Sequence, residues 1–182
     1  MKASSLPSPA SSHARSTNAS EPLLSVRGLS AQSSARSLRR GQRILLVDDD
    51  PGVRGSISEV LVGEGYVVIP ANNGQQALEL VASIPVDLVL LDLNMPVKNG
   101  WDTFERLTAE HALVPVIIVT ARPNQFFMAL NSGAGGLLEK PMDIPILLRT
   151  IERLLAESAE QHLARLAGMN TNFYYKSTLP NG

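Results

Sequence analysis

The chain has 182 residues, a formal net charge of −1 and no cysteine. That length allows one ordinary domain with appendages, and the lack of cysteine excludes disulfides, thiolate metal sites and cysteine nucleophiles. Charge is unevenly spread: residues 1–40 set Lys2, Arg15, Arg27, Arg36, Arg39 and Arg40 against Glu21, a surplus of +5 that leaves −6 on the rest. An acidic body argues against direct DNA binding, which needs clustered Lys and Arg. No apolar run approaches the ~18 residues of a membrane span.

Residues 1–40 are rich in Ser, Pro, Ala and Arg without helical or strand periodicity. Such a segment cannot bury enough apolar surface to offset its ordering entropy, so it reads as a disordered leader. It lacks the apolar core of a secretory signal, although its Arg- and Ser-rich composition resembles an organellar transit peptide.

From Arg43 the pattern changes. Short apolar runs at Ile44–Val47, Tyr66–Ile69, Leu88–Leu91, Val116–Val119 and Leu137–Leu138 read as strands. Segments of helical period separate them. Val53, Ile57, Val60 and Leu61 form the first, broken by Gly63 and Gly65; Ala77, Leu80, Val81 and Ile84 form the second, before Pro85. Trp101, Phe104 and Leu107 mark a third that reaches towards His111, Phe127 and Leu130 a short fourth, and Ile144 to Leu155 a strong fifth. Leu155, His162, Leu163 and Leu166 prolong that last face to a stop at Gly168, an apolar stripe suited to dimer contact or to folding back on its own domain. The segment 170–182 holds three of the chain's eight aromatic residues and is too short for an output domain.

Five strands alternating with five helices predict a doubly wound, parallel α/β sheet. LVLL and VIIV are apolar on both faces, as strands covered on both sides must be. In such sheets ligands bind at the carboxyl ends of the strands. Asp48, Asp49 and Asp50 follow the first strand, Asp92 the third, Thr120 the fourth, and Lys140 the fifth. Adjacent carboxylates repel unless a positive partner is present. Mg²⁺ fits this rim, since it binds through one or two carboxylates and recruits phosphate oxygens. The Lys140 ammonium and Thr120 hydroxyl can serve those same oxygens, leaving one aspartate to attack phosphorus.

ILLVDDDPGVR, DLVLLDLNMPVKNG, VIIVTA and LLEKP stand in the order and near the spacing of one family. Over residues 41–157 the chain resembles the receiver domain of two-component response regulators. The resemblance implies a flavodoxin-like sheet of order 2-1-3-4-5. It implies Asp92 as phospho-acceptor, Asp48 and Asp49 as the acidic pair with Asp49 as its direct metal ligand, and the Asn94 backbone carbonyl as a further Mg²⁺ contact. Thr120 becomes the switch hydroxyl and Lys140 the phosphate-binding lysine, followed by a cis peptide at Pro141; Asp50 lies beyond the ligand set. The partner implied is a histidine kinase or phosphotransfer protein, and the setting cytoplasmic. Such a domain catalyses only its own phosphorylation and dephosphorylation, signalling by protein contact or relay without a DNA-binding output domain.

Three positions depart from the family pattern or bear on it. Leu137 stands where members carry Tyr or Phe, the Thr120-to-Lys140 interval is shortened, and Arg122 and Asn94 flank the path of the attacking water. The Gly100 region suits a loop needing positive φ. His13, His111 and His162 are scattered, which does not support a phosphotransfer histidine. Two other readings compete. One is a phosphorylation-independent interaction module. The other is a haloacid-dehalogenase-like phosphatase, which Asp48-x-Asp50, Thr120 and Lys140 imitate but which leaves Asp92 without a role.

Overall fold

The structure, a computed structural model, describes residues 41–95, 100–169 and 173–176. All lie in the unit Arg36–Gly182, so the reading of 1–40 as a disordered leader falls outside the described residues. In chain order the elements are β1 (Arg43–Val47), α1 (Pro51–Gly63), β2 (Val67–Ala71), α2 (Gly74–Ser83), β3 (Leu88–Asp92), α3 (Gly100–Glu110), β4 (Val116–Thr120), α4 (Phe126–Asn131), β5 (Gly136–Glu139), α5 (Ile144–Leu155), α6 (Ala159–Leu166) and β6 (Tyr174–Lys176).

The strands form one sheet of order β2-β1-β3-β4-β5-β6, parallel throughout. The predicted parallel α/β sheet of order 2-1-3-4-5 is therefore present, with a sixth strand added beyond β5. β3 and β4 are buried along their whole length. Alternate residues feed two cores. Leu45, Val89, Ile118 and Leu137 pack with α2, α3 and α4, whereas Ile44, Leu90, Ile117 and Leu138 pack with α1 and α5. Period-2 alternation thus divides one sheet between two apolar layers.

Local chemistry starts and stops the helices. Asp50 caps α1 by accepting from Gly52 and Val53 N–H with Pro51 in the first turn, and α1 ends at Gly63 before Gly65 at φ +97°. Asn73 caps α2, and Asp143 caps α5 by accepting from Ile146 N–H. Gly100 is the first residue of α3 and is not among the glycines of positive φ, which corrects the expected reason for it. A Cβ there would stand 2.4 Å from Leu93 Cα and 2.7 Å from the Asp92 carbonyl oxygen. The glycine is required by close approach, not by backbone handedness.

The fifth helix does not run on to Gly168 as the apolar stripe predicts. α5 ends at Leu155, and Ser158 and Gln161 form a reciprocal capping box that starts α6 afresh. His162 is buried and Leu163 exposed, so the stripe is broken. α6 folds back on its own domain: His162 Nε2 meets the Ala112 carbonyl oxygen at 2.7 Å, and Arg165 donates to the Gly133 carbonyl oxygen. Both acceptors precede strands, at the amino ends of β4 and β5, away from the carboxyl rim. No helix among the described residues is long and apolar enough to cross a membrane.

Candidate functional site

The carboxyl ends of β1, β3, β4 and β5 deliver polar residues to the rim. Asp48 follows β1 and is buried to 2 % exposure; Asp92 closes β3 at 3 %. Asp49 lies exposed beside them, and oxygens of Asp48, Asp49 and Asp92 all stand within 4.8 Å of one another. The hydrogen-bonding pattern explains how two carboxylates tolerate burial. Lys140 Nζ donates to Asp48 Oδ2 at 2.8 Å and to Asp92 Oδ2 at 2.7 Å. Asp50 N–H donates to Asp48 Oδ1, and Asn94 N–H to Asp92 Oδ1. Both carboxylates are therefore charge-paired on one oxygen and bonded by backbone on the other, which offsets their desolvation. Burial opposes the charge on Lys140, but hydrogen bonds to Asp48 and Asp92 and their negative charge outweigh it. The ammonium pKa consequently lies above the ordinary lysine value.

Thr120 closes β4 fully buried, and its hydroxyl oxygen accepts from Arg122 N–H at 3.0 Å. The Lys140 N–H donates to the Thr120 carbonyl oxygen at 2.8 Å, joining the ends of β4 and β5. The Lys140–Pro141 peptide is cis. Arg122 is not left in solvent: its Nε donates to Asn94 Oδ1 at 2.7 Å, linking the loops that leave β3 and β4. A cleft of about 550 Å³ opens beside Lys140, walled by Asp50, Val53, Ile57, Pro141 and Met142.

The structure brings together Asp48, Asp49, Asp92 and Lys140, with Thr120 and Asn94 at the neighbouring strand ends. Asp50 turns away, its carboxylate engaged by Gly52 and Val53 N–H; those two bonds hold its pKa below the usual carboxylate value. Sequence reasoning missed Arg54, whose Nη1 donates to the Asp48 carbonyl oxygen at 2.6 Å. Its only signal is a place one turn into α1 above the acidic loop.

Three clustered carboxylate groups, one exposed, form a hard-oxygen donor set of the kind Mg²⁺ prefers. A parallel sheet whose carboxyl rim pairs such a cluster with a lysine is the arrangement that the receiver-domain resemblance implies. The response regulator receiver domain model matches residues 44–152, and the chain belongs to that family. It is 41% identical over 133 residues to the transcriptional regulatory protein CpxR of Klebsiella pneumoniae, covering 71% of this chain and 56% of that protein. It is 36% identical over 122 residues to the DNA-binding response regulator MtrA of Mycolicibacterium smegmatis, covering 66% and 53%. The chain thus spans about half the length of these relatives. Among solved structures, the TrrA response regulator of Thermotoga maritima in complex with Mg²⁺-BeF superposes with a TM-score of 0.59 at 30% identity, covering 62% of this chain and 98% of that one. A CheY-like receiver domain of Methanospirillum hungatei gives 0.61 at 30% identity, covering 66% and 97%.

Proposed function

We propose that the domain accepts a phosphoryl group on Asp92 from a phosphohistidine donor, a histidine kinase or phosphotransfer protein, and signals by contact with a further protein. The observation that carries this reading is the Lys140 ammonium held between Asp48 and Asp92 with Asp49 alongside. An Asp92 carboxylate oxygen attacks phosphorus, the P–O bond forms as the P–N bond breaks, and the imidazole leaves with its electron pair and takes a proton. Lys140 is already at Asp92 and would turn to a phosphoryl oxygen; the Thr120 hydroxyl, whose oxygen accepts from Arg122 N–H, would donate its proton to another. The cleft beside Lys140 supports an approach for the donor. Asp48, Asp49, Asp92 and the Asn94 carbonyl would hold Mg²⁺, which when bound supplies positive charge to the phosphoryl oxygens. The TrrA complex with Mg²⁺-BeF supports that assignment by analogy.

Such a domain catalyses only its own phosphorylation and dephosphorylation. The CpxR and MtrA relatives are DNA-binding or transcriptional regulators; for this domain we infer protein contact as the route of signalling, because its body is acidic. The phosphatase-like alternative would need Asp50 free beside Asp48, and the Asp50 carboxylate is engaged in capping α1.

The test is adduct formation with acetyl phosphate, with and without Mg²⁺, on the wild-type protein and on Asp92→Asn. The expected result is a Mg²⁺-dependent, acid-stable, alkali-labile adduct that the variant lacks. Mg²⁺ binding without an adduct would instead favour a phosphorylation-independent module.

A further inference from the structure

Residues 173–176 of the aromatic segment are built into the domain. Gly136, Leu137 and Leu138 of β5 pair in parallel with Tyr174, Tyr175 and Lys176 of β6. Gly136 admits this approach: a Cβ there would stand 3.2 Å from the Tyr174 carbonyl oxygen. A three-residue strand has too few ladder bonds to hold itself, and side chains anchor it on both faces. The Arg153 guanidinium lies over the Tyr174 ring at 5.9 Å, and Phe126 packs against Phe173 at 5.7 Å and Tyr175 at 4.7 Å between ring centroids.

Tyr175 makes two contacts that covering a sheet edge does not require. Its hydroxyl donates to Glu139 Oε1 at 2.9 Å, on the residue before Lys140. Its ring meets Phe126, the first residue of α4, to which the loop 121–125 leads directly from Thr120. One rigid side chain therefore ties the last residue of β5, just before Lys140, to the start of α4, where the loop from Thr120 arrives. The Lys140 N–H to Thr120 carbonyl bond already joins those segments at their base.

We propose that Tyr175 is a positioning residue of the phosphoryl-accepting site, acting through Glu139 and Phe126 to fix the angle at which Lys140 and the Thr120 loop leave the sheet. This inference rests on the function proposed above for its phosphoryl readout, but not for its second readout. It is tested on the full chain with Tyr175→Phe, which keeps the ring and removes the donor. The rate of adduct formation per folded molecule, with acetyl phosphate at saturating Mg²⁺, is expected to fall roughly three- to ten-fold, the weight of one lost hydrogen bond. Mg²⁺ affinity, set by the carboxylates, is expected to stay unchanged, and hydrogen exchange at the Lys140 ammonium, followed by NMR, to accelerate. Glu139→Gln retains an acceptor oxygen and should keep the wild-type rate. In a Glu139→Leu background, adding Tyr175→Phe should slow the reaction no further. Unchanged adduct rate and unchanged Lys140 exchange in Tyr175→Phe would overturn the inference and leave β6 as an edge cover. If even the wild type forms no adduct, the phosphoryl reading fails by itself. Faster Lys140 exchange in the variant would then still uphold the positioning role, and unchanged exchange would still overturn it.

Discussion

Asp48, Asp49 and Asp50 are neighbours in sequence with three different tasks. Asp48 is buried and paired with Lys140, Asp49 stands exposed at the mouth of the cluster, and Asp50 caps a helix. Arg122 shows the same division between family position and local chemistry, since its guanidinium bonds the Asn94 side chain and links the loops that leave β3 and β4. Removing it would free the Asn94 loop, one side of the path that the resemblance gives the attacking water. Arg122→Ala is expected to hydrolyse the aspartyl phosphate about five-fold faster, corresponding to roughly 1 kcal/mol for one hydrogen bond. The decay of isolated phosphoprotein measures this; an unaltered lifetime would mean that Arg122 does not shield the phosphoryl group. Asp48, Asp92, Thr120 and Lys140 were legible in the sequence because each ends an apolar run, and the strand order converts that linear fact into proximity. The Arg122–Asn94 bond was not legible, because it joins two irregular loops whose course no periodicity describes.

Among the elements, α6 departs most from sequence expectation. The stripe Leu155–His162–Leu163–Leu166 predicts one continuous helix, and the Ser158-x-x-Gln161 capping box breaks it. Its buried side is also polar. The neutral His162 ring donates from Nε2 to the Ala112 carbonyl oxygen and accepts at Nδ1 from Arg165 Nη2 at 2.9 Å, while Arg165 pairs with Glu157 at 2.8 Å. A helix docked through histidine and arginine buries a face that its apolar stripe does not mark. Burial and then the Arg165 charge push the His162 pKa below its ordinary 6.5, against the opposing pull of Ala112 and Glu157. The unfolded chain therefore binds that proton more readily. The stability contribution is complete above pH ~6.5 and is lost as pH falls from there to the depressed folded value, with a slope of at most about 1.4 kcal/mol per pH unit. Urea midpoints between pH 7.5 and 5 should record the loss, and His162→Gln should flatten it within that window. A wild-type curve parallel to the variant's would refute the coupling. The short α4, six residues long, agrees with the shortened interval between Thr120 and Lys140.

At the scale of the whole molecule, the fold holds three carboxylate groups together with Lys140 bridging two of them. The unfolded chain has no such cluster, so a cation that binds it favours the native state. At one hundred times its Kd, Mg²⁺ is expected to add about 2.7 kcal/mol. Thermal melts with and without Mg²⁺ check this: the midpoint should rise for the wild type, and the rise should shrink for Asp49→Asn. An equal rise in that variant would remove Asp49 from the ligand set. The two-layer core was legible as a whole, because LVLL and VIIV announce strands covered on both faces. β6 was not, because an aromatic segment of three strand residues has too short a run to declare a period.

The outer strands also bear on how copies of this chain meet one another. A parallel sheet ends in two rows of backbone groups able to recruit a neighbour's strand. On one side β2 carries Pro70, which lacks an N–H and stands exposed. On the other, the apolar Gly136–Leu138 edge is covered by a strand only three residues long that ends in the exposed Lys176. Both borders thus carry devices that resist edge-to-edge growth. A chain shortened after α6 would keep its carboxylate cluster and most of both cores, yet lose the Tyr175 contacts and bare an apolar β5 edge to solvent. Its failure would come as concentration-dependent precipitation rather than unfolding.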